Sequence, residues 1–200
     1  MGTLLKKLFK RLKKYITKMT GVKGAVPPVG TIAYDDICQS VFLSFLGVLI
    51  VTVTDFFFLV RQFDGDLVSS GMMSGAQAAS AVLTFDAYKS HLAQPRNQIG
   101  GHVVCAFIGV SVRLFGEACY VPYWVQAPLS VSVSIAIMRM FKVTHPPGGA
   151  TAVIAIIGGD AVWKLGFGYV LCSLGASVIG LIIGVLGNNL FDERQYPLYW

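Results

Sequence analysis

The side chains best suited to chemistry lie in Thr-His-Pro-Pro-Gly-Gly-Ala-Thr at 144–151, which opens an apolar run ending at Gly159. Pro146 and Pro147 lack N–H groups and hold φ near the helical value, so they open a helix without spending donors. Gly148 and Gly149 admit a ligand or a second helix close to the backbone. Thr151 adds a hydroxyl on the first turn. His145 either contacts an anion and changes charge near neutral pH, or serves as a cap or interhelical hydrogen-bond partner. The helix that follows is short: from Pro147 to Gly159 it reaches roughly 20 Å at ~1.5 Å per residue, against a ~30 Å hydrocarbon core. A half-helix starting inside a membrane aims unpaired amides and about half a positive charge at the midplane, which favours a small anion.

Three further groups are candidates. Segment 70–85 is equally short and rich in small residues, and it contributes Ser74, Gly75 and Gln77 to the same anion site. In Gln-Pro-Arg-Asn-Gln-Ile-Gly-Gly-His (94–102), Arg96 can pair with an anion or a headgroup phosphate, with Asn97 and Gln98 completing a polar mouth. The alternative there is a cytoplasmic-side charge among turn formers, with Gly100 and Gly101 serving close packing and His102 a structural hydrogen bond. Asp55, inside an apolar run, is a proton or cation site, a partner for Arg113, or a residue near the outer interface.

These groups need a scaffold, and the composition says which. Hydrophobic residues make up 54% of the 200-residue chain, charged residues 13%, and the mean hydropathy is +0.66. Soluble domains carry about 25% charge, so this chain cannot cover a soluble surface. Apolar segments fall at about 37–60, 70–85, 99–116, 121–138, 147–159 and 164–190, four long and two short. The expected fold is all-α: a polytopic transmembrane helix bundle with four long spans and two short Gly-rich half-helices. Residues 37–200 form this domain, and 1–36 form a basic segment with a Gly/Pro linker.

Half of the sixteen Lys and Arg residues precede residue 24, and no acid precedes Asp35. Residues 4–19 are amphipathic at helical spacing, with Leu5, Leu8, Leu12, Tyr15, Ile16 and Met19 on one face and lysines over much of the rest. Such a helix lies among anionic headgroups, orients the chain, docks a partner or targets an organelle. With six crossings, thirteen basic residues fall on one side and two on the other, Arg113 lying near the outer end of the third segment, which puts both termini on the cytoplasmic or equivalent inner side. Four crossings give the same result. Cys38, Cys105, Cys119 and Cys172 are scattered and read as reduced packing residues. No phosphate loop, metal cluster, catalytic triad or nucleic-acid motif is recognisable, so neither an enzyme, a cofactor nor a nucleic-acid partner is expected.

The two halves echo each other. Gly-His-Val-Val-Cys at 101 matches Gly-Tyr-Val-Leu-Cys at 168, and the Gly/Ala-rich run at 75–83 matches that at 148–154. A unit of long, short and long segments crosses an odd number of times, so its repeat is inverted. Paired interrupted segments in inverted repeats point to a transporter's substrate site.

Thr-His-Pro-Pro-Gly-Gly-Ala-Thr-Ala-Val-Ile-Ala (144–155), Leu-Ala-Gln-Pro-Arg-Asn-Gln-Ile-Gly-Gly-His (92–102) and the ending Gly-Asn-Asn-Leu-Phe-Asp-Glu-Arg-Gln-Tyr-Pro-Leu-Tyr-Trp (187–200) together resemble the HPP family of integral membrane proteins. Gly149 stands where many relatives have alanine. The resemblance implies a small bundle of about four spans, and plastid and cyanobacterial members that move nitrite. Some relatives append nucleotide-binding regulatory domains, a regulation not expected in a chain ending at Trp200. The function expected is small-anion transport or conduction, with nitrite as the anion, in a plasma membrane or the inner membrane of a plastid or mitochondrion. The alternative is a non-catalytic assembly subunit of a larger membrane complex; a homo-oligomer fits either reading.

Overall fold

The computed structural model describes residues 2–19, 34–63 and 75–200. The basic sequence forms α1 (Gly2–Met19), followed by α2 (Tyr34–Phe63). α3 runs through 75–81 and continues as a π-helical turn, Val82–Asp86. A 3-10 turn, His91–Ala93, leads into α4 (Pro95–Ala118), α5 (Tyr123–Phe141), α6 (Pro146–Ile157), α7 (Gly159–Leu165) and α8 (Gly168–Asn188). The described residues contain no strand.

Tyr34–Thr54 of α2, together with α4, α5 and α8, is long and apolar enough to cross a membrane, at 21, 24, 19 and 21 residues. At ~1.5 Å per residue these match a ~30 Å hydrocarbon core. Their outward faces carry Phe42, Phe45, Phe107, Phe115, Leu171 and Ile182, all exposed. Apolar exposure on this scale fits lipid contact, since a soluble surface would bury it. α6 is short, as its sequence implied, but it does not run on: α6 and α7 meet at a bend of 100°. Gly159 takes φ +74° there, and Gly166 takes φ +51° before α8. Lys164 and Leu165 therefore belong to α7, not to the last span, because these two glycines adopt a backbone conformation that other residues resist.

α4 is the central element and packs on α5, α6 and α8. Gly101, Cys105 and Gly109, four residues apart, put small atoms along one face of it. A Cβ at Gly101 would collide with Cβ of His145, and one at Gly109 would lie 2.7 Å from the Ala152 carbonyl oxygen. From the other side, a Cβ at Gly148 would meet Cys105 Sγ at 2.8 Å and the Gly101 carbonyl oxygen at 2.9 Å. Lipid tails are as apolar as leucine, so helices in a bilayer associate by such close packing rather than by expelling water. Of the cysteines, Cys105 has the expected packing role, whereas Cys38 and Cys119 are exposed; none of the four forms a disulfide among the described residues.

Arg194 closes one end of the bundle and is 1% exposed. Its guanidinium donates to Asp36 Oδ1 at 2.6 Å, Ser40 Oγ at 2.7 Å, the Phe85 carbonyl at 2.7 Å and Asn188 Oδ1 at 3.1 Å. A planar fork of five donors suits this set, which ties α2, the π-helical turn and α8 together. Asn188 thus helps close this end of the last span with Arg194, while the Asn189 side chain accepts from the Tyr196 N–H at 3.3 Å. Tyr196 is buried, and its hydroxyl donates to the Ala93 carbonyl at 2.6 Å. Burial raises the pKa of its phenol and keeps it a donor.

α1 docks on this closed end. The Lys18 ammonium has three donors, and they go to the carbonyls of Phe191, Asp192 and Arg194 at 2.9, 3.1 and 3.1 Å. Lys14 pairs with the exposed Asp192 carboxylate at 3.1 Å and holds its carboxyl below the ordinary value. Leu5, Leu8, Leu12 and Ile16 remain exposed. Arg113, weighed as a partner of Asp55, is ion-paired with Glu117 at 2.6 Å; the Asp55 side chain lies outside the described residues.

Substituting Gly109→Val should lower thermal stability in detergent by about 1–3 kcal/mol, because neither the Ala152 carbonyl nor the Ala155 methyl can yield. Gly175→Ala, where a Cβ meets nothing within 4 Å, should leave the melting temperature unchanged or raise it. Equal losses at both positions would contradict the packing account.

Candidate functional site

Ser80 of α3 lies between the imidazoles of two buried histidines. Its Oγ is 2.8 Å from His102 Nε2 and 3.0 Å from His145 Nε2. The two rings meet edge to face, with centroids 4.9 Å apart. On the far side of each ring, His102 Nδ1 faces Thr151 Oγ1 at 2.7 Å and His145 Nδ1 faces the Leu92 carbonyl at 2.9 Å. Both histidines are 0% exposed. The local backbone explains the meeting. His145 precedes α6 in an extended conformation (φ −140°, ψ 104°), which turns its ring back towards α4. His102 lies one residue beyond Gly101, whose missing side chain is the space that His145 fills.

The hydrogens in this chain follow from its ends. A carbonyl only accepts, so His145 Nδ1 carries the proton and its Nε2, when the ring is neutral, accepts from Ser80. The single Ser80 proton is then used, so His102 must donate from Nε2 and accept at Nδ1 from the Thr151 hydroxyl. The result is one polarised sequence, Thr151 to His102 to Ser80 to His145 to Leu92. Every polar side-chain atom of this cluster has a partner within the protein, as a membrane interior demands. Among the described residues, no third His, Cys, Asp or Glu joins the pair to form a metal-binding group.

A small cavity adjoins Ser80. Gln77, Ser80 and Thr84 line it from α3 and its π-helical turn, Gln98 from α4, Gly47 from α2 and Gly180 from α8. Its volume is about 10 Å³, room for about one water. Gln98 is anchored by Thr84 and Tyr196 hydroxyls at 3.3 Å each, and it donates to the Ser177 carbonyl at 3.3 Å. Among the described residues, the cavity found next to this cluster is much smaller than the anion-sized one that the half-helix geometry suggests beside His145.

Of the residues singled out in the sequence, His145 and Thr151 join the cluster and Gln77 joins the cavity. Gly75 is exposed, and Ser74 lies outside the described residues. Arg96 is exposed and donates to the Phe141 carbonyl at 3.0 Å; Asn97 donates to the Thr144 carbonyl at 2.8 Å. Both brace the turn before α6. The unpaired amides expected at the start of α6 are missing for a physical reason. Pro146 and Pro147 have no N–H, and the Gly148 N–H is taken by the His145 carbonyl at 2.9 Å. Pro147 and Gly148 are buried, Pro146 is exposed, and Gly149 is intermediate.

Sequence reasoning passed over Ser80 and gave His102 only a structural bond. A signal was present: Gln77, Ser80 and Thr84 repeat at helical spacing in an otherwise Ala-rich segment, which marks a polar face.

Spanning helices with an apolar exterior around a closed polar centre define a multi-pass α-helical membrane protein. The chain belongs to the HPP transmembrane family, since it matches the family described as HPP, transmembrane region, over residues 29–197. It is 34% identical over 189 residues to a transmembrane protein of Dictyostelium discoideum, covering 94% of this chain and 63% of that one. A second transmembrane protein of that organism is 35% identical over 158 residues, covering 78% of this chain and 49% of the relative. The chain therefore spans less than two thirds of either relative. No solved structure matches it.

Thr151→Val keeps the shape of the side chain but strands His102 Nδ1, a fully buried acceptor. It should destabilise the protein by about 1–3 kcal/mol, read as a lower melting temperature in detergent. Ser44→Ala, which removes an exposed hydroxyl bonded only to the Val41 carbonyl, should change it by less than about 0.5 kcal/mol.

Proposed function

We propose that this chain carries a small inorganic anion, nitrite, across a membrane as a transporter or channel. The observation that carries the reading is the buried polar centre: two histidines, Ser80, Thr151, Gln77 and Gln98 gathered inside a bundle whose exterior is apolar. Polar groups at such depth are expensive and mark substrate paths by default. The order of long, short and long segments occurs twice, as α2–α3–α4 and α5–α6–α8, and this supports an inverted repeat with α3 and α6 as its paired short elements. The site includes His145 just before α6, Pro147, Gly148 and Thr151 on α6, Gln77 on α3, and Arg96 with Asn97 in the first turn of α4. Because the α6 amides are used, hydroxyl, amide and imidazole groups hold the anion. The resemblance to nitrite-moving members of the family names the anion.

The cavity holds about one water, so the described conformation is closed and passage requires the helices around it to move apart. Both termini face the cytoplasmic or equivalent inner side. The exposed leucines of α1 enter anionic headgroups there, with its lysines at the phosphates. The tightly filled centre also favours a second reading, a non-catalytic subunit of a larger membrane complex. Liposomes holding the folded protein and a nitrite-sensitive dye separate the two. Transport predicts nitrite influx about tenfold or more above empty liposomes, lost in His145→Ala. Influx equal to that of empty liposomes, with fixed partners co-purifying, would support the subunit.

A further inference from the structure

Ser80 has more acceptors than protons. Besides the two imidazoles, its Oγ lies 3.2 Å from the Ala76 carbonyl, one turn back on α3. In the neutral cluster the Ser80 proton goes to His145 Nε2, because that nitrogen has no other donor. If His145 Nε2 were protonated, it would donate to Ser80 Oγ, and the serine hydroxyl could swing to Ala76. Ser80 would then accept from both histidines and donate to a carbonyl, within the one-donor, two-acceptor capacity of a hydroxyl. The cluster is satisfied with zero protons added and with one, and only a hydroxyl rotation separates the states.

From this geometry we infer that the Ser80-bridged histidine pair binds one proton, and that the proton travels with the anion. The inference rests on the transport reading above. The transfer balances. A hydronium in the cavity beside Ser80 gives a proton to Oγ as the serine passes its own to His145 Nε2, leaving water and an imidazolium. The groups facing the imidazoles are neutral: Ser80 from α3, the Leu92 carbonyl from the 3-10 turn, and Thr151 from α6. On α4, Cys105 turns to Met138 Sδ at 3.6 Å, and Arg96 is spent on the Phe141 carbonyl. No carboxylate is bonded to the pair among the described residues, so the added charge has no fixed counter-ion. An anion admitted near Gln77 and Gln98 when the closed cavity opens supplies it. Each then favours the binding of the other, a reciprocal linkage.

Proteoliposomes carrying the full chain, a luminal pH dye and a nitrite reporter test this, with membrane potential set by valinomycin and potassium. Leak of nitrous acid is subtracted using empty vesicles. The expected result is one proton delivered per nitrite, with influx indifferent to the sign of the potential. His145→Gln and Ser80→Ala, each checked for folding by size exclusion and melting, should lower nitrite-linked acidification about tenfold or more. Nitrite influx that speeds up with a positive interior and leaves luminal pH unchanged would overturn the inference while leaving nitrite transport intact. So would a folded variant that keeps full acidification. Absence of nitrite flux from folded wild type would instead overturn the transport reading itself, and this inference with it.

Discussion

The close approach of α4 to α6 is the constraint on which the rest depends. Gly101 and Gly148 leave no side chain between the two backbones, and His145 occupies the space that a Cβ at Gly101 would need. That contact fixes where the His145 ring lies, and with it the distance to His102 on the next residue of α4. Ser80 then bridges the pair from α3. The glycines on these helices act through absence: the space they leave is the mould for the histidine cluster.

A membrane interior removes the option of satisfying polar groups with water, so the cluster must be complete in itself. Its terminal acceptor, the Leu92 carbonyl, dictates the proton position on every member in turn. The same demand shapes the end of the bundle around Arg194. The π-helical turn at 82–86 presents the carbonyls of Thr84 and Phe85, which Asn188 and Arg194 take up. Lys18 does the same for three carbonyls of the tail, joining the basic α1 to the turn that follows α8. α1 is thus both a docked element and a candidate membrane-surface helix, since only part of it faces the protein.

Much of this was legible in the residues. Hydropathy gave the four long helices, and Pro-Pro gave the start of α6 to within a residue. Gly100 and Gly101 offered close packing, and α4 meets its neighbours there. What escaped was long-range. Ser80 is a small polar residue in an alanine-rich stretch, and nothing local says that it faces two histidines 22 and 65 positions away. The bend between α6 and α7 depends on positive φ at Gly159, while many glycines in the chain have ordinary helical φ. The amide site failed for a reason visible in hindsight: the two prolines that open α6 also delete the donors an anion would use. Nor does anything local say that Tyr196, beyond the last span, is buried with its hydroxyl on the Ala93 carbonyl 103 positions away.

The central claim is the polarity of the neutral cluster, and histidine tautomers report it directly. Solid-state nitrogen NMR on the full chain in bilayers, labelled at histidine and held at mildly alkaline pH, distinguishes protonated from bare ring nitrogens. The account predicts His145 protonated at Nδ1 and His102 at Nε2, with the exposed His91 as an internal reference. His145 protonated at Nε2 and bare at Nδ1 would leave the Leu92 carbonyl without its donor and contradict the arrangement.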